Sequence, residues 1–191
     1  MGLVGPVGRH FKQVTIHPDE FTQGLTRWYG FEAMFTTPQS AAVLLAAAPD
    51  SYRRAIIVER ILQMIRFDVG GVAAQEVLDP NHWAIHQMLT GEMNDRDYES
   101  ALAFAEVLIP SKKDRLKRNQ LISQQSQEAV CFLQKYRMHL DMVANELLAK
   151  TTIEGDELCE LIDRIPWLDA PTISRALSDI LELRHFGVRA A

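Results

Sequence analysis

The sequence predicts a mainly α-helical domain with a small N-terminal β-sheet and a long C-terminal helix packed antiparallel against a neighbour. Three observations lead to this fold class. Residues 11–17 alternate with a period of two, as a strand does. Beyond residue 38, apolar residues recur every three or four positions, as on one face of a helix. Finally, one narrow apolar seam runs through residues 122–147.

The predicted sheet lies in residues 1–37, which we expect to form strands and loops. The alternating run ends at Pro18, because proline cannot donate a ladder hydrogen bond. Residues 24–35 are rich in aromatic side chains, including Trp28 and Tyr29, which favours one or two further short strands.

Residues 38–165 are predicted to form a helical core. Residues 40–48 form a first helix that ends at Pro49, and Asp50 with Ser51 caps a longer one. The glycine pair at residues 70–71 either interrupts that helix or allows another backbone to approach closely. Further helices are expected at residues 72–78, 82–89, 95–109, 111–150 and 154–164.

The helix at residues 111–150 is the longest predicted element, and we expect it to be continuous. Its seam steps by four and three residues throughout and consists of Ile122, Ser126, Ala129, Leu133, Tyr136, Leu140, Val143 and Leu147. We expect the seam to be buried. A last helix within residues 166–191 is predicted to pack on the core, completing a single domain.

Composition argues against several classes of function. The net charge of −5 gives no general attraction to nucleic acid or to an anionic membrane. No stretch approaches the roughly 20 apolar residues that cross a bilayer. The two cysteines, Cys131 and Cys159, are too few for a disulfide framework, so the chain is expected to be cytoplasmic.

Four segments, in the same order as in the family, resemble the peptidase domain of FtsH-type membrane-bound zinc proteases. Residues 12–18 (KQVTIHP) resemble the strand after the family's first zinc helix. Residues 70–77 (GGVAAQEV) resemble its glycine-glycine-x-alanine-alanine-glutamate-glutamate helix. Residues 90–95 (TGEMND) resemble the turn whose aspartate is the third zinc ligand, and residues 140–158 resemble the C-terminal long helix and the turn after it.

The resemblance implies a zinc metallopeptidase scaffold in which Asp95 stands at the position of the third ligand, as a vestigial one. Without the resemblance, Asp95 reads as a helix cap. The 191 residues contain no His-Glu-x-x-His motif, which in the family supplies two ligands and the general base. We therefore expect no bound zinc and no catalysis by this chain, either as a reduced relative or because the zinc helix lies upstream of Met1.

His82 and His86 are spaced four residues apart, as zinc-binding histidines on one helix face are. With Asp95 they would make a three-ligand set, although Trp83 stands where a metalloprotease has glutamate. Two partly exposed histidines without a metal are the expected outcome.

A basic cluster at the start of the long helix opposes the helix dipole and suggests an acidic partner; it consists of Lys112, Lys113, Arg115, Lys117 and Arg118. The ordinary explanation is a solvated helix face. The sequence therefore leaves two functions open. One is an inactive FtsH-like peptidase domain, and the other is a non-catalytic helical module that binds a protein, a peptide or a second copy of the chain.

Overall fold

The structure, a computed structural model, describes residues 11–17, 25–28, 37–79, 84–90, 96–111 and 113–164. Its strands are β1 (Phe11–Thr15), β2 (Leu25–Trp28) and β3 (Thr152–Glu154). Its helices are α1 (Pro38–Ala47), α2 (Ser51–Asp68), α3 (Gly70–Leu78), α4 (Ala84–Thr90), α5 (Arg96–Leu108), α6 (Arg115–Lys135), α7 (Arg137–Lys150) and α8 (Gly155–Asp163). The prediction of a mainly helical fold with a small sheet is confirmed.

Contacts between the described elements form two compact units, with a border between Lys135 and Tyr136. Helices α1 to α6 form the helical unit. Strands β1 to β3 with α7 and α8 form the sheet unit. The predicted division into residues 1–37, 38–165 and 166–191 is a different one, and its last segment lies outside the described residues.

The helical unit is built from capped helices around an aliphatic core. Thr37 and Ser40 form a reciprocal capping box at the start of α1, and the Asp50 side chain accepts from the Arg53 amide at 2.7 Å at the start of α2. Helix α2 packs against α5 and α6, and α3 packs against α6. The largest fully buried side chains here are Phe104, Ile61, Ile65, Met88 and Ile122.

The sheet unit joins the two ends of the described chain. Its strand order is β2-β1-β3, and both pairings are antiparallel. In the β1–β3 register, Val14 lies opposite Ile153, and the hydroxyls of Thr15 and Thr152 are 2.8 Å apart. Ile153, Leu158 and Leu161 form the core of this unit, against which Val14, Met142, Val143 and Leu147 pack.

The prediction of one continuous helix at residues 111–150 is wrong. The helix is interrupted at Tyr136, whose backbone angles are φ −104° and ψ 30°. The Tyr136 ring is buried and meets the ring of His139 edge-on, with centroids 5.7 Å apart. The apolar spacing runs on through Tyr136 because α6 and α7 each have an apolar face, but those faces pack in different units.

Burial along the predicted seam changes at the same point. Ile122, Ser126, Ala129, Leu133 and Tyr136 are buried, whereas Leu140, Val143 and Leu147 are only partly buried. The expectation of full burial therefore holds for α6 and not for α7.

Two further observations complete the description of the fold. Strand β3 was not predicted, because a three-residue strand has no readable period. Within the described residues no helix is both long and apolar enough to cross a membrane.

Candidate functional site

The segment that carries the clearest motif, GGVAAQEV, forms α3 and follows α2 after a single residue. Val69 closes one helix and opens the next: its amide donates to the Ile65 carbonyl, and its carbonyl accepts from the Ala73 amide, each at 3.0 Å. Among the described residues nothing lies within 4 Å of a Cβ placed on Gly70 or Gly71. Of the two predicted explanations, an interruption of the helix is seen, at Val69 just before the glycine pair, and within the described residues no other backbone approaches the pair closely.

Side chains of α3 divide between packing and polar contact. Val72, Ala73 and Val77 are buried, and α3 packs against α6 and α4. Gln75 is exposed, while Glu76 is partly buried and its Oε1 accepts from the Ile85 amide at 3.2 Å. Glu76 therefore satisfies a backbone donor in the first turn of α4, which is a positioning role.

Helix α4 carries the one predicted metal-site residue that the structure describes. His86 is exposed on α4, and the Thr90 hydroxyl donates to the His86 carbonyl at 3.0 Å in the last turn. His82 and Asp95 lie outside the described residues, so the structure does not bring the three predicted ligands together or separate them. Within the described part of the chain, no group of three or more His, Cys, Asp or Glu side chains could hold a metal ion.

Helix α6, against which α3 and α4 pack, carries two adjacent buried polar residues, of which the sequence analysis placed only Ser126 on the seam. Gln125 is 2% exposed and its Oε1 has no hydrogen-bond partner among the described residues, and Ser126 is fully buried with its hydroxyl donating to the Ile122 carbonyl at 3.0 Å. A buried carboxamide oxygen without a partner costs about 1–3 kcal/mol. In the sequence, the only signal for a buried Gln125 was its position next to the seam residue Ser126.

Ion pairs tie α6 to α2 on the same unit. Arg66 binds Glu59 on its own helix and Glu128 on α6. Arg60, one turn and a half earlier, is buried and donates to Gln63 Oε1 at 3.0 Å; burial lowers the pKa of its guanidinium. Of these side chains, Arg66 links α2 to α6, whereas the Arg60–Gln63 bond lies within α2.

The predicted basic cluster is not a uniform solvated face. Arg118 is buried and binds Glu106 of α5, and Lys117 pairs with Asp114 at 3.2 Å. Lys113 and Arg115 are exposed and form no ion pair within the described residues. Lys112 lies outside them.

A second surface was missed by the sequence reading. Helix α1 contains no charged residue, and Ala42, Val43, Ala46 and Ala47 are exposed. Beside it is a shallow groove of about 200 Å³, lined by Ala42, Leu45, Ala46, Arg54 and Val107. The all-round apolar character of residues 41–48 was the available signal, because such a helix is usually covered.

Comparison of the chain with protein-family models, with curated proteins and with solved structures finds no match in any of the three.

Proposed function

We propose that this chain is a non-catalytic domain of the FtsH peptidase type, which keeps the helical scaffold and does not hydrolyse peptides by itself. The observation that supports it most is the pairing of β1 with β3. These strands belong to the first and last of the four segments that resemble the family, and their residues Thr15 and Thr152 are separated by 137 positions. If the resemblance of these two short segments to the family were incidental, there would be no reason for them to pair in one sheet.

The secondary structure of the other described segment agrees with the proposal. GGVAAQEV is helical throughout as α3, as the resemblance implies, and residues 140–150 lie in helix α7. Strand β3 and helix α8, which follow α7, are not implied by the resemblance. The turn that includes Asp95 lies outside the described residues, so its role as a vestigial ligand is part of the proposal.

The absence of hydrolysis follows from the chemistry of zinc peptidases. A catalytic zinc site needs three protein ligands, an open position for water and a base for that water. No His-Glu-x-x-His motif occurs in the sequence, so two ligands and the base are not supplied by that motif. Asp95 alone supplies one ligand.

The proposal is tested by supplying the missing helix. A helix carrying His-Glu-x-x-His is fused ahead of Lys12, and zinc affinity is measured by calorimetry. We expect one zinc per chain, bound at least about tenfold more tightly than in the same fusion carrying Asp95→Asn, because the third carboxylate completes the site. A fusion with both motif histidines changed to alanine is the control. Equal affinity with and without the Asp95→Asn change rejects the relationship to FtsH peptidases.

We propose a helical protein-interaction module as the second candidate, supported by the exposed apolar face of α1. Val43 is 68% exposed and Tyr52, at the start of α2, is 58% exposed. The groove beside α1 is too small for a typical small-molecule ligand but fits one apolar side chain. Arg54, which forms no described ion pair, places a cation at that groove. An amphipathic helix with an acidic residue beside its apolar stripe matches this surface.

Site-specific photo-crosslinking tests this second function. A crosslinker at Val43 is expected to trap one discrete protein in cells, and the same crosslinker at Gln39, an exposed polar position of α1, is the matched control. The trapped protein should then bind the purified chain, with loss of binding in Arg54→Glu. Identical products from both positions contradict the proposal.

A further inference from the structure

The start of α6 presents a positive surface that the described part of the chain does not neutralise. We call Lys113, Arg115 and Leu116 the basic patch. Lys113 and Arg115 are exposed without an ion pair in the described residues, and Leu116, which follows Arg115 in the first turn of α6, is 72% exposed. Helix α6 has no acidic residue in its first turn. Cations at the positive end of a helix dipole are unfavourable unless an anion is brought to them.

The two neighbouring cations have acidic partners, so the excess of positive charge is confined to the basic patch. Arg118 has Glu106 as its partner, and Lys117 has Asp114. The local acids are thus engaged by the two cations outside the patch. No described acid is paired with Lys113 or Arg115, so both cations are open to an incoming carboxylate.

Helix α8 presents the complementary surface. We call Asp156 and Glu160 the acidic face; both are exposed, and neither has a cationic partner within the described residues. Asp156 and Glu160 are spaced four residues apart, on one side of α8, while Leu158 and Leu161 are buried in the sheet unit. Glu157 of the same helix is engaged by Lys150.

We propose that the basic patch of one copy of this chain binds the acidic face of α8 in a second copy. Two carboxylates four residues apart on a helix match a pair of neighbouring cations, and Leu116 adds an apolar contact within the charged rim. Because the patch and the face are different surfaces, each copy both offers and receives the contact. This self-association is independent of any relationship to peptidases.

The chemistry favours a protein partner over nucleic acid. A nucleic-acid surface gains its affinity from many phosphate contacts, and this patch offers two described cations on a chain of net charge −5. Among protein partners, a second copy is the one whose complementary face the structure itself provides.

Sedimentation velocity tests the proposal on the full chain. At about 100 µM protein and about 50 mM salt we expect a mass above the 21.6 kDa of one chain, falling to that of one chain at about 500 mM salt. The double variants Lys113→Glu/Arg115→Glu and Asp156→Lys/Glu160→Lys should each weaken association at least about tenfold. Mixing the two variants should restore it, because each then offers the surface that the other lacks.

A control variant carries the same change in net charge as Lys113→Glu/Arg115→Glu, but at positions outside the basic patch. Arg96→Glu/Lys135→Glu alters two exposed cations outside the patch and should associate as the original chain does. Circular dichroism verifies that every variant is folded. A single-chain mass for the original protein at low salt overturns the proposal. Undiminished association of either double variant, or a mixture no more associated than its components, overturns it as well.

Discussion

Lys150 lies in the last turn of α7, where two carboxylates converge on its ammonium group. It pairs with Glu146 at 2.6 Å, one turn earlier, and with Glu157 of α8. Hydrogen bonds to Glu146 and then to Glu157 raise the pKa of Lys150 above its ordinary value of 10.5. A single side chain therefore links the helix before β3 to the helix after it.

The raised pKa predicts a loss of stability in alkali. A cation whose pKa is higher in the folded state contributes fully below its unfolded pKa, and the contribution disappears as pH rises through the folded pKa. The difference in unfolding free energy between the original chain and Lys150→Met should therefore be constant up to about pH 10 and shrink above it. Urea unfolding at a series of pH values measures it.

Lys113→Met is the matched control, because Lys113 is exposed and forms no described ion pair. The difference in unfolding free energy between Lys113→Met and the original chain should not shrink above about pH 10. If Lys150→Met and the original chain lose stability in parallel from pH 8 to 11, the ion pairs of Lys150 do not stabilise the fold.

At the scale of the elements, the division of the predicted long helix into α6 and α7 changes which side chains carry stability. Leu140 reads from the sequence as a seam residue, yet on α7 it is only partly buried. Phe104 of α5, with a ring 1% exposed, is among the largest buried side chains. The cost of truncating a side chain follows the contacts and cavity left behind, and not its place in a periodic pattern.

We therefore expect Phe104→Ala to cost about 3–5 kcal/mol and Leu140→Ala about 1 kcal/mol. Urea unfolding followed by circular dichroism measures both. An equal loss in the two variants would mean that Leu140 is packed as tightly as Phe104 and that α7 has a buried partner for it.

At the scale of the whole molecule, the prediction concerns activity. The purified chain should show no chelator-sensitive cleavage of labelled casein, because its sequence lacks the motif that supplies two zinc ligands and the base. The measurement compares fluorescence release with added chelator, with added zinc and with neither. Turnover that stops with chelator and returns with zinc would contradict the proposed function.

Much of the secondary structure was readable from the sequence because its signals are local. The Asp50 cap and the spacing of Ile57, Ile61 and Ile65 lie within a few turns of each other and predict α2 directly. The alternation that predicts β1 spans residues 11–17, of which Phe11–Thr15 form the strand. Of the candidate ligands, His86 could be predicted to lie on a helix, and α4 has it there.

Tertiary structure alone decided the rest, since it depends on which distant surfaces meet. The pairing of β1 with β3 joins residues such as Thr15 and Thr152, and no local pattern records that choice of partner. The neutralisation of Arg118 by Glu106 depends in the same way on α5 meeting α6. The sequence by itself determined where α2 begins, which residues of α2 and α6 face inward and that the His-Glu-x-x-His motif is absent. Only the fold decided that the apolar seam is divided at Tyr136 and that Lys113 and Arg115 have no ion pair within the described residues, because packing, and not spacing, selects the neighbours of a side chain.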